Sequence, residues 1–177
     1  MAQFQAGETR LALRYFAEVL AADSTRADAY DAMASAHGML GNQVEGLLAS
    51  EAAVRLAPEN PAFLSNRAQA YRRFGRDDDA LADLDRALAL EPGFVAALFN
   101  RGSLRFQRGD YAGALDDFSA AIAADPTSAP PYFNRAVTQE ALGRLEEAKR
   151  DLEAFLQRTD QEQGAEMARQ LLRRWDD

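Results

Sequence analysis

Five glycines stand at positions 7, 41, 75, 109 and 143, each 34 residues after the last, and prolines at 58, 92 and 126 keep the same interval. A fixed period of this length marks a stacked repeat, in which each unit buries its apolar face only against its neighbours. The stretch from Phe94 to Pro126 shows one unit complete: two amphipathic runs joined by a tight turn at Gly109-Asp110 and ended at Pro126. Apolar residues recur three and four apart and no stretch alternates with period two. The chain therefore reads as all-α, with short turns and almost no β-structure.

Taken in order, residues 1–6 read as the tail of a helix and Gly7 as its turn, so residues 1–26 form a partial repeat. The helix from Glu8 to Ala22 carries Leu13, Phe16, Val19 and Leu20 on one face. Full repeats follow over 27–60, 61–94, 95–128 and 129–160. The second unit carries Tyr30, Met33, Ala34 and His37 on its first helix and Val44, Leu47, Leu48 and Val54 on its second. Gly46 there replaces an alanine, at ~1 kcal/mol inside a helix, which marks this unit as the softest. Pro61 and the Pro130-Pro131 pair open first helices, where a missing N–H costs nothing. The period ends near Asp160. A last helix over 161–177 carries Met167, Leu171, Leu172 and Trp175 between charges, as expected of a cap that covers the end of a stack.

Composition narrows function by exclusion. The net charge of −8 lacks the cationic face that phosphates demand, so the expectation is no nucleic acid partner. No cysteine is present, which removes disulfides, thiolate catalysis and zinc-thiolate sites. The N-terminus has no secretory pattern and no apolar run is long enough to span a bilayer. The expectation is a cytoplasmic protein without membrane insertion. Lys149 is the only lysine beside 19 arginines, a bias to which no mechanism attaches.

Several independent positions resemble the tetratricopeptide repeat (TPR) family over about residues 8–160. Small residues recur mid-way along the first helix (Ala34, Ala68, Gly102, Ala136) and early in the second (Ala12, Ala80, Ala114, Ala148, with Gly46 the exception). A further set falls later in the second helix (Ala53, Ala87, Ala121). The aromatic that the family places near the end of the first helix is Tyr71 in one unit, but His37, Arg105 and Gln139 in others. The resemblance implies a right-handed α-solenoid of antiparallel helix pairs, about four and a half units plus a C-terminal capping helix. It implies first helices lining a concave groove that binds an extended peptide or partner segment, and no enzymatic activity or cofactor.

The pairs Asn66-Arg67, Asn100-Arg101 and Asn134-Arg135 recur at one register of three successive first helices. The resemblance places Asn66, Asn100 and Asn134 in the groove, where an amide pairs with both polar groups of a peptide unit. The alternatives are that the asparagines were copied with the repeats or that they bond locally. The arginines are expected to bridge neighbouring repeats. Around the asparagines the expected groove face holds Ser65, Gln69, Arg72, Arg73, Phe99, Ser103, Phe106, Gln107, Phe133 and Val137, with Asp28, Asp31 and Ala32 at the second unit. Phe99, Phe106 and Phe133 suggest an apolar pocket, with inter-helix packing as the alternative.

Family members that clamp acidic chaperone tails use groove asparagines plus basic residues. Here the basic positions are taken by Ala96, Asn100, Pro130 and Asn134, so the clamp is broken. Asp77-Asp78-Asp79 reads as an acidic helix start. Asp116-Asp117 and Glu146-Glu147 read as solvated, and His37 as a packed side chain. Besides a groove-binding adaptor, two readings remain open: a self-assembling scaffold, and the regulatory arm of a larger enzyme.

Overall fold

The computed structural model describes residues 2–176, with side chains described for 6–175. Helices are α1 (Ala2–Ala22), α2 (Ala27–Met39), α3 (Gln43–Leu56), α4 (Pro61–Arg73), α5 (Asp77–Leu90), α6 (Val95–Gln107), α7 (Tyr111–Ala124), α8 (Pro130–Ala141), α9 (Leu145–Leu156) and α10 (Glu162–Asp176). Among the described residues there is no strand. The chain divides into two compact units, Met1–Pro92 and Gly93–Asp177.

The hairpin turns follow from the glycines. Gly41, Gly75, Gly109 and Gly143 have φ of 76°, 67°, 80° and 74° just past the ends of α2, α4, α6 and α8, a left-handed conformation that a side chain opposes. Gly7 departs from the expectation. It lies inside α1, which runs unbroken through it. The backbone hydrogen-bond ladder of α1 continues across it, at the ~1 kcal/mol that a glycine costs inside a helix. Helix starts are chemical where the sequence allows. Asn60 Oδ1 accepts from the N–H of Ala62 (2.9 Å) and of Phe63 (3.3 Å), ahead of Pro61. Asp110 Oδ1 accepts from the N–H of Gly113 at 3.0 Å.

In the first unit α2 pairs with α3 and α4 with α5, and α3 packs on α4. Leu64, Ala68, Ala80, Leu84 and Ala87 are fully buried there. Val44 and Leu48 of α3 are instead 58% and 60% exposed. In the second unit α6 pairs with α7 and α8 with α9, around Leu104, Ala114, Phe118, Ala121 and Leu152. Gly102 allows the closest crossing. A Cβ there would stand 2.9 Å from the Phe118 ring and 3.1 Å from Asp117 Cβ. Ala168, Leu171, Leu172 and Trp175 of α10 close on Tyr132, Leu152 and Phe155, and Trp175 Nε1 donates to Glu140 at 2.9 Å.

Each arginine of the Asn-Arg pairs holds a carboxylate of its own hairpin, a contact the sequence alone does not predict. Arg67 grips Asp83 with two bonds of 2.7 Å, and Arg135 grips Asp151 likewise. Arg101 holds Asp117 at 2.7 Å, and Arg105 reaches the same carboxylate at 2.9 Å. The Arg135 Nη1 bond to Ser119, at 3.2 Å, also crosses to the preceding repeat, as the sequence predicts. The carboxylate contacts follow from spacing. A step of 16 residues carries the chain from one helix over the turn to the facing point of the next, and a forked guanidinium fits a carboxylate there with two bonds. Asp117, expected in solvent, is 3% exposed for the same reason, while Asp116, Glu146 and Glu147 do face solvent.

Candidate functional site

The expected groove residues lie on the first helices, α4 in the first unit and α6 and α8 in the second. Ser65 and Asn100 are buried, at 1% and 8% exposure, so neither is offered on an open surface. Gln69, Arg73 and Gln107 are exposed, while Asn66, Arg72, Phe99, Ser103, Phe106, Phe133, Asn134 and Val137 are half-buried.

Within the first unit, Asn66 Nδ2 donates to both carboxylate oxygens of Asp31 on α2, at 2.9 and 3.0 Å. Asp31 makes no ion pair with any described residue. Burial pushes its carboxyl above the usual carboxylate value, and the Asn66 amide pulls part of the way back. Within the second unit, Asn134 Nδ2 lies 3.4 Å from Ser103 Oγ on α6, and that hydroxyl donates to the Phe99 carbonyl at 2.8 Å. Both asparagines thus spend their donors between successive first helices, while their Oδ1 atoms accept nothing from the described residues. Fixing the nitrogen sets the direction of that open acceptor.

The three phenylalanines do not form one pocket by ring contact. Phe99 packs on Phe118 (centroids 6.0 Å apart), Phe106 on Tyr111 (5.3 Å) and Phe133 on Phe155 (5.2 Å). Each ring meets an aromatic of its own hairpin, the packing alternative.

One cleft of about 60 Å³ brings expected groove residues together, in the first unit between α2, α3 and α4. Asn66, Gln69 and Arg73 line it from α4. Gly46 and Ser50 of α3 are buried and form its floor, with Ala34 of α2 beside them. The Ser50 hydroxyl turns away to donate to the Leu47 carbonyl at 2.8 Å. Arg73 lies across the backbone of Gly38, where an added Cβ would stand 2.6 Å from its Nη1. Its guanidinium makes no hydrogen bond or ion pair with any described residue. The floor residues were not expected from sequence as part of a site. The signal was available all the same, since Ser50 occupies the position that Leu84, Phe118 and Leu152 hold in the other hairpins.

Among the described residues no cluster of histidine, aspartate and glutamate is arranged to hold a metal ion, and no helix is long and apolar enough to cross a membrane. Helix hairpins repeating at this period, with small residues at each crossing, define a helical-repeat interaction module. Tetratricopeptide repeat models match residues 45–93, 75–131 and 105–173, and the chain belongs to that family. A search of curated proteins found no significant sequence match.

Solved structures share the fold. A crystal structure of MamA aligns with TM-score 0.74 at 18% identity, over 88% of this chain and 91% of that one. YrrB, described as a TPR protein with an unusual peptide-binding site, aligns with TM-score 0.69 at 24% identity, over 96% and 88%. The first TPR of Spaghetti (RPAP3), bound to the HSP90 peptide SRMEEVD, aligns with TM-score 0.64 at 24% identity, over 68% and 96%. Proteins of this family are in general interaction modules without enzymatic activity, and the fold is that of a protein-interaction scaffold.

Proposed function

We propose that the protein is a cytoplasmic, non-enzymatic adaptor that holds an extended peptide or partner segment along its first helices. Asn66 and Asn134 are its backbone-reading residues, and Asn100, at the same register but buried, supports the helix that carries it. The observation that carries this reading is the open Oδ1 of Asn66 and Asn134, each aimed by a bond from its own nitrogen to the preceding first helix. Such an acceptor suits the N–H of an extended chain and ignores the side chain beyond it. With a net charge of −8 the expected partner is protein rather than nucleic acid. Replacing Asn66 and Asn134 by alanine is expected to abolish capture of a groove peptide while the melting temperature changes little. Undiminished binding by the double variant overturns the reading.

Self-association is the second reading, favoured by Leu11 and Tyr15 of α1, which are 66% and 63% exposed. Light scattering over a dilution series decides it: a mass that rises with concentration supports it, and a constant monomer removes it.

A further inference from the structure

Two charges on the first helices of the first unit stand alone at their registers. Asp31 of α2 is half-buried, and the later first helices have Ser65, Phe99 and Phe133 in its place. Arg73 of α4 is exposed, and its equivalents are Met39, Gln107 and Ala141. Copying of the repeat therefore accounts for neither. Neither has a counter-ion among the described residues. Asp31 holds only the Asn66 amide, through both of its oxygens, whereas Asp28 one turn earlier is already paired with Arg26. The upward push of burial on the Asp31 carboxyl is the mark of a charge left short of a cation.

The two charges mark the ends of one seam between α2 and α4. Asn66 meets Asp31 at one end, and seven residues further along both helices Arg73 lies across Gly38. Between them Ser35 and Gln69 are exposed, and their side chains bond to no described residue. Gly38 keeps the Arg73 end clear, where its equivalents Arg72, Phe106 and Glu140 carry long side chains. The matching seam of the second unit keeps its asparagine, Asn134, but has Phe99 in place of Asp31 and Ala141 in place of Arg73.

Resting on the groove reading above, we propose that this seam selects its peptide by charge: a lysine or arginine of the bound segment pairs with Asp31, and an aspartate or glutamate about three residues away pairs with Arg73. The spacing follows from helix geometry. Seven residues of α4 rise about 10 Å, which an extended chain covers in about three residues. A cation beside Asp31 supplies the compensation that a neutral amide does not, and a charge-assisted bond is the stronger kind. Opposite charges at the two ends fix the register of the peptide and repel one with its charges exchanged. Asn66 Oδ1 and the Gln69 amide between them serve the peptide backbone. The asparagines thus suit a backbone in either unit, and only the first unit adds a choice of side chains.

Phage-displayed random dodecapeptides, selected on wild type and counter-screened on Asp31→Asn, Arg73→Glu and the double variant Asn66→Ala, Asn134→Ala, test this. Wild type is expected to enrich peptides sharing a base and an acid about three residues apart. The synthetic consensus peptide should bind Asp31→Asn about tenfold more weakly, as loss of a charge-assisted bond at a half-buried site does. It should bind Arg73→Glu about fivefold more weakly, since that side chain is exposed. Changing the acid of the peptide to lysine should weaken binding to wild type and restore binding to Arg73→Glu, an exchange that a fault in folding does not produce. If Asp31→Asn does not fold, the consensus peptide with its base changed to alanine gives the same readout on wild type. Enriched peptides without the charge pattern, or a consensus that both charge variants bind as tightly as wild type, overturn the proposal; loss of those peptides on the double-asparagine variant then leaves the groove reading standing. No enrichment on wild type overturns both.

Discussion

The hairpin of α2 and α3 and that of α4 and α5 follow one plan in one compact unit, yet they are built to different standards. The second has a buried ion pair, Arg67 with Asp83, and a full core side chain at Leu84. At the equivalent positions the first has Met33, Ala49 and Ser50. Its ion pair is replaced by apolar atoms, which a buried pair tolerates well. In place of its leucine stands Ser50, 1% exposed, and a Cβ on Gly46 would lie 3.3 Å from the Ala34 carbonyl oxygen, so α2 and α3 approach closely over small side chains. The sequence reading located softness at Gly46. In the structure Gly46 and Ser50 are both buried, and together they let the backbones of α2 and α3 cross closely.

The largest effect expected from this contrast is at the ion pair. Asp83→Ala leaves the Arg67 guanidinium without its carboxylate and should cost about 3–5 kcal/mol in denaturant unfolding. Adding Arg67→Met, which recreates the Met33/Ala49 arrangement, should recover most of that loss; no recovery breaks the equivalence of the two hairpins. Next is the core. Leu84→Ala should cost about 2–5 kcal/mol, whereas Ser50→Ala loses one hydrogen bond worth about 1 kcal/mol. Equal costs at the two positions would mean that the α2/α3 hairpin is as well packed as its neighbour.

Volume balance gives a third test. Gly102→Ala drives a Cβ into the Phe118 ring and should cost about 1–3 kcal/mol. Phe118→Leu, by restoring the alanine-with-leucine pairing of the sister hairpins, should suppress that cost in a double-mutant cycle. The smallest effect concerns Asp31. Its carboxyl titrates above the ordinary 3.8 because burial opposes the charge, so the folded state holds its proton longer than the unfolded state. Stability from this group is therefore full below that ordinary value and falls as pH rises through the raised one. Asp31→Asn keeps an acceptor for Asn66 and removes the charge. Its melting temperature should exceed wild type at pH 7 by more than at pH 3.5, and a pH-independent difference would place the effect elsewhere.

The period of 34 is written in the glycines and prolines, and with it the hairpins, their turns and the family. These features are local. A left-handed residue past a helix end and an apolar face at three- and four-residue spacing need no distant partner to be recognised. What tertiary structure decided is which side chains face one another. An acidic pair on a second helix predicts a solvated Asp117, yet 16 residues back Arg101 stands opposite it. For Asn66 the sequence leaves ligand binding and local bonding open; in the structure its nitrogen donates to Asp31 one repeat earlier, and its oxygen accepts from no described residue. The small residues Gly46 and Ser50 are visible in the sequence, but how closely α2 and α3 cross over them is set by the facing Ala34 and His37, which only the tertiary structure brings there.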